Sequence, residues 1–121
     1  MSNMLYQNAQ PRMTKVAPGV LLLRVPSIGE LDACDVFDRV VGRAIACRPR
    51  MVVVDLSDAE SVSTVMLGLL MKLRHAVVPM GGQVRLAAVG PMVLSVLSIC
   101  RLDRLFTIHH SLEEAMEDVT G

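Results

Sequence analysis

Tryptophan is missing from this chain, and aromatic residues of any kind are scarce, with one tyrosine and two phenylalanines in 121 residues. Stacking of single-stranded nucleic acid needs aromatic platforms, and gripping a duplex needs an excess of positive charge. Twelve basic side chains are offset by twelve acidic ones, so both features are lacking and no nucleic-acid partner is expected. Long apolar runs are lacking too. None reaches the roughly 18 to 20 residues that a membrane span requires, and the polar opening from Met1 to Gln10 has no basic-then-apolar leader pattern. The expectation is a cytoplasmic protein without direct membrane insertion. Cys34, Cys47 and Cys100 are odd in number and far apart, without the close pairing of zinc or redox motifs, so reduced small side chains are expected.

What the chain does have is apolar residues, 52% of the total, ample for one core in a chain of single-domain size. Residues 1–11 are polar, aperiodic and closed by Pro11, as in a flexible N-terminal tail, leaving 12–121 as the domain. Arg12 to Val16 and Val20 to Val25, joined at Ala17-Pro18-Gly19, read as a hairpin. From Leu31 to Cys47, Ala33, Val36, Phe37, Val40 and Ala44 recur at helical spacing, with Asp35 and Arg39 expected as an i,i+4 pair on the polar side. Met51 to Leu56 is a β-branched run without alternation, the mark of a central strand covered on both faces.

A second helix is expected over Thr64 to Val78, with Met66, Leu69, Leu70, Leu73 and Val77 toward the core and Leu67, Met71 and Val78 on an apolar flank. Gln83 to Val89 returns as a strand. Gly90-Pro91 opens a third helix carrying Val93, Val96, Leu97 and Cys100, and a short strand is expected at Phe106 to His109. Ser111-Leu112-Glu113-Glu114 has capping-box spacing and starts a last helix through Val119. The alternation predicts an α/β fold, a central mixed sheet of about four to five strands packed with about four helices.

The ordered segments resemble the STAS domain, found in bacterial anti-sigma factor antagonists and in the cytoplasmic tails of sulfate transporters. The resemblance runs from about Val20 to Val119. It is carried by Ile28-Gly29-Glu30-Leu31-Asp32, by Val52-Val53-Val54-Asp55-Leu56-Ser57, by Leu67-Gly68-Leu69-Leu70 and by Gly81-Gly82-Gln83-Val84-Arg85-Leu86. Leu102-Asp103-Arg104-Leu105-Phe106 and Ser111 to Ala115 complete it. In that family an Asp-Ser-Ser-Gly segment joins the central strand to its helix, and the first serine is phosphorylated by a partner kinase that is itself the anti-sigma factor. Ser63, Thr64, Val65 and Met66 fall on those positions. The resemblance therefore implies Thr64, with Ser63 behind it, as the phospho-acceptor, and Ser63 as a helix cap in place of the aspartate.

The partner-binding surface it implies comprises Asp32, Ser57, Asp58, Ser61, Ser63, Thr64, Leu67 and Met71. Asp32 has a second expected role as the cap of the first helix. The expected function is a non-enzymatic antagonist that binds an anti-sigma factor serine kinase. The alternative is an unphosphorylated adaptor or scaffold, in a signalling assembly or on a lipid-transport ATPase complex, with self-association left open. An enzyme finds no support: His75 has no nucleophile and orienting carboxylate in its motif, and there is no phosphate-binding loop, so no cofactor is expected. His109 and His110 are neighbours on a strand, point to opposite faces, and have no acidic cluster in sequence, so no metal is expected either.

Overall fold

A computed structural model describes residues 12–26 and 33–118. The expected N-terminal tail and Asp32 lie outside the described residues. Five strands, β1 (Met13–Ala17), β2 (Val20–Arg24), β3 (Met51–Asp55), β4 (Gln83–Ala87) and β5 (Thr107–His109), alternate after the hairpin with four helices. These are α1 (Ala33–Ala46), α2 (Thr64–Val77), α3 (Pro91–Ile99) and α4 (Leu112–Met116), with single 3-10 turns at Val78–Met80 and Leu102–Arg104. The strands lie side by side in chain order; β1 and β2 are antiparallel and the other neighbours parallel. The predicted mixed α/β sheet is thus the one observed.

The hairpin turns through Pro18 and Gly19, with Gly19 at φ 73°, a left-handed value that glycine reaches without steric cost. The carbonyl of Gly19 accepts from the N–H groups of Arg50 and Met51 at 2.9 and 3.2 Å, which ties the hairpin to the start of β3. Strand β3 is buried along its whole length, as its unbroken apolar run predicts. Leu21, Leu23, Val52, Val54, Val84 and Leu86 point to the face covered by α1, α2 and α3. Val20, Leu22, Met51, Val53 and Ala87 point to the other, against Ala115 of α4.

Two element ends and one buried face differ from the expected ones. Strand β4 stops at Ala87 rather than Val89 because Ala88 takes φ 57° and leaves the extended region. The last helix stops at Met116: Asp118 turns back to clasp Arg85 of β4 at 2.7 and 3.2 Å, and the same guanidinium donates to the Ala115 carbonyl. That guanidinium holds the Asp118 carboxyl below the ordinary aspartate range. The α2 core stripe is also rotated: Leu67 is 7% exposed and belongs to the buried cluster that includes Phe37, Val40, Val41 and Ala44 of α1. On the apolar flank Leu67 is thus covered by neighbouring helix α1 and Met71 is half-buried, whereas Val78 stays 41% exposed; Leu69, expected inside, is only half-buried.

The corner between α2 and β4 is the tightest point for a small residue. A Cβ on Gly82 would stand 2.6 Å from the Pro49 carbonyl oxygen and 2.6 Å from a Val77 methyl. Backbone on one side and a packed core residue on the other leave nothing flexible to yield. Gly82→Ala is expected to cost about 2 kcal/mol, the scale of forced overpacking. Urea denaturation measures it; an unchanged midpoint would mean that the corner relaxes freely.

Candidate functional site

Parallel strands deliver their carboxyl ends to one side of the sheet, where connecting loops and helix N-termini gather. The loop from β3 to α2 occupies that position in the centre of this sheet. Its base is a charged clamp. Parallel pairing sets Arg24 beside Asp55, and the Arg24 guanidinium reaches Asp55 Oδ2 at 3.3 Å. The other carboxylate oxygen accepts the Ser57 backbone N–H at 2.9 Å, closing an Asx turn. Asp55 is 4% exposed and is the buried charged residue of the core, so both carboxylate oxygens need the partners they have.

Beyond the clamp, Leu56 and Ala59 are buried and peg the loop to the core, and the Ala59 N–H donates to the Leu56 carbonyl at 3.1 Å. Pegging these two leaves Ser57, Asp58 and Glu60 exposed, and Ser61 half-buried. The loop ends at Ser63, whose extended backbone (φ −86°, ψ 166°) and side-chain oxygen cap α2 by accepting the Met66 N–H at 3.1 Å. This is the capping role expected of Ser63 in place of an aspartate. Cys34 Sγ of α1 lies 3.8 Å from the same oxygen. Thr64, the first residue of α2, is exposed.

Ser63→Ala removes the cap and is expected to lower stability by about 1 kcal/mol. Ser63→Asp keeps an acceptor and adds a charge at the positive helix end, so it should match or slightly exceed the parent. Thermal unfolding of the two variants separates capping from any other role of the hydroxyl.

Of the residues expected to form the partner surface, Ser57, Asp58 and Thr64 are at the surface around this loop, and Ser61 and Ser63 are half-buried beside them. Met71 is half-buried against the core. Leu67 is buried and removed from the candidate surface by its packing against α1. Two apolar residues that helical spacing did not nominate are exposed instead: Val65, 58% exposed in the first turn of α2, and Met92, 61% exposed in the first turn of α3. Helix α3 follows β4 as α2 follows β3, so both residues stand at the same end of the sheet. The signal for Met92 was present in Pro91-Met92-Val93-Leu94, apolar on more than one helical face and therefore unable to bury every side chain.

The sites set aside in the sequence lie elsewhere. His75 is exposed on α2. His109 is joined through Nδ1 to Glu114 of α4 at 3.2 Å, a carboxylate that the sequence order had not paired with it. Among the described residues no group of three or more histidine, cysteine or carboxylate side chains is placed to hold a metal ion. No described helix is long and apolar enough to cross a membrane.

Comparison with known proteins places these features in context. The family model of the STAS domain matches residues 12–115. A candidate anti-sigma factor antagonist from Thermotoga neapolitana is 38% identical over 66 residues, 54% of this chain and 58% of that relative. The match thus spans little more than half of the relative's length. The crystal structure of a candidate anti-sigma factor antagonist from Thermotoga maritima superposes with a TM-score of 0.72 at 26% identity, covering 87% of this chain and 91% of that one. The Bacillus cell fate determinant SpoIIAA, solved in its phosphorylated form, gives a TM-score of 0.70 at 17% identity over 88% of this chain and 96% of its own; at that identity the likeness is one of fold.

Proposed function

The chain belongs to the STAS domain family, and from that premise we propose that it acts as a regulatory protein-binding domain of the anti-sigma factor antagonist type. Its partner is an anti-sigma factor serine kinase, which docks on the loop from Ser57 to Ser63 and on the first turns of α2 and α3. Binding sequesters the anti-sigma factor and releases its sigma factor. Phosphorylation of Thr64 reverses the binding. The protein itself carries out no catalysis.

The observation that carries this reading is that Thr64 is exposed at the start of α2, immediately after the Ser63 cap and beside exposed Val65. A kinase reaches the hydroxyl of such a residue without unfolding the helix, and the same apolar turn offers area for docking. Phosphate there adds about −1.5 to −2 charges next to Asp58 and Glu60, and a partner seated on the turn must then bury an anion. The test is affinity purification of the tagged protein from its own cells, with mass spectrometry of its partners and of Thr64. Recovery of an anti-sigma kinase on the unphosphorylated form supports the switch.

A second reading is favoured by one observation. Buried Met66 stands where the family has glycine, and Ser63, which replaces the aspartate, has its oxygen engaged in the cap. An adaptor or scaffold subunit that is never phosphorylated needs neither family residue. A stable complex with transporter or scaffold subunits, unmodified at Thr64 and unchanged by Thr64→Ala, would replace the switch with that role.

A further inference from the structure

Strand β1 is the edge of the sheet, and among the described residues it pairs with β2 alone. Antiparallel partners alternate between exchanging hydrogen bonds and facing away. The Arg24 N–H donates to the Arg12 carbonyl at 2.9 Å, so Arg12 and Thr14 direct their backbone groups to β2 and those of Met13 and Lys15 face outward. Met13 and Lys15 stand opposite Leu23 and Leu21, on the face that α1 covers. Between this edge and α1 runs a cavity of about 440 Å³, with Met13, Val36 and Val40 as its apolar part and Arg12, Arg39 and Arg43 as its charged part. A second cavity, of about 280 Å³, lies further along β1 between Lys15 and Cys47.

Arg39 and Arg43 are exposed, and among the described residues neither enters an ion pair, so the pairing of Arg39 with Asp35 expected from their spacing is not formed. The acids of α1 are Asp35, in its first turn, and Asp38, which is held by Lys72 of α2 at 3.1 Å. The edge thus combines outward backbone donors and acceptors, an apolar floor and basic side chains along one line, although the chain as a whole is neutral.

We propose that this edge is a second docking site, remote from Thr64, for an extended acidic segment of a partner protein. The segment adds as a strand outside β1, sets carboxylates against Arg39 and Arg43, and lays an apolar side chain on Met13, Val36 and Val40. Main-chain bonds to an edge strand supply affinity, and the flanking side chains supply selection. A second copy of this chain is disfavoured as occupant, because β1 against β1 opposes Lys15 and the guanidiniums with like charges. Residues 1–11 contain no acidic side chain, so the chain's own preceding segment brings no counter-charge.

The probe is a short capped peptide of alternating glutamate and valine, labelled for fluorescence anisotropy against the full chain, with amide NMR shifts followed in parallel. Saturable, salt-weakened binding is expected, with the largest shifts at Met13 and Lys15. The double variant Arg39→Gln, Arg43→Gln should bind about tenfold more weakly, the scale of two exposed charge pairs, and both positions are exposed, so its fold should be retained and its circular dichroism unchanged. Lys15→Glu tests the same line of charge independently. The proposal is overturned if the peptide does not saturate, if a lysine–valine counterpart binds as well, if the double variant binds unchanged, or if the shifts gather at Ser57 to Thr64. Sedimentation showing dimers through β1 that the acidic peptide cannot dissociate would assign the edge to a second copy and would also overturn it.

Discussion

Asp55→Ala is expected to lower stability by about 3 kcal/mol, the low end of the range for breaking a buried ion pair by removing one partner. Two losses add up here. The Ser57 N–H forfeits an acceptor at 2.9 Å, and a hydrogen bond to a charged group contributes about 1.5–3 kcal/mol. Arg24 also loses its carboxylate. The low end applies because the Arg24 side chain is 29% exposed and regains water when its partner is gone. Asp55→Asn separates the two losses. An amide oxygen still accepts from Ser57 while the ion pair is lost, so the cost should be about 1 kcal/mol, as for a partly exposed pair. Urea denaturation gives both values. Amide exchange at Ser57 and Ala59 should speed in Asp55→Ala beyond the global change, because the turn that holds the loop has lost its anchor. Equal costs for the two variants would mean that the charge, and not the turn, is what Asp55 supplies.

The same clamp illustrates what was legible in the sequence. Met51 to Asp55 is recognisable as a central strand from its β-branched run, and the carboxylate at its end stands out in an otherwise apolar stretch. Its partner, 31 residues earlier in the chain, is not legible, since only the parallel register of β2 and β3 sets Arg24 beside it. Ser63 is the opposite case. A cap is local chemistry, fixed by a hydroxyl and an N–H three residues on, and so it can be read directly. Helix α2 falls between them: its period was evident, but periodicity shows that a stripe exists and not which neighbour covers its margin. The covering helix, α1, decided Leu67, and with it which apolar side chains remain for a partner. Val65 and Met92 stay exposed at the starts of their helices, and His109 met Glu114 because α4 folds back beside β5. Alternation and caps thus gave the order of elements, whereas the composition of the surface depended on contacts between segments distant in sequence.

Phosphorylation of Thr64 is expected to weaken binding of the proposed partner by about 100-fold, roughly 2.7 kcal/mol, within the range for leaving a charge buried and unpaired in an interface. The sign follows from the surroundings. Asp58 and Glu60 lie in the preceding loop, no lysine or arginine occurs between Asp55 and Met71, and the exposed Val65 side chain gives the phosphate no counter-charge. Within the free domain the effect should run the other way. The phosphate stands at the amino end of α2, where an anion is favoured by about 0.3–1 kcal/mol, so thermal stability should hold or rise slightly. This opposition distinguishes direct repulsion from loosening of the domain: repulsion weakens binding while leaving the helix intact, and loosening lowers both. Thr64→Glu carries one charge and a shorter acceptor array, so a loss of about tenfold is expected from it. Thr64→Ala should bind as the parent does. Calorimetry of the phosphorylated protein, the two variants and the parent against the captured partner, alongside their melting temperatures, provides all the comparisons. Equal affinities across the set would remove the switch, and weaker binding that tracks a lower melting temperature would show that the modification acts on the fold.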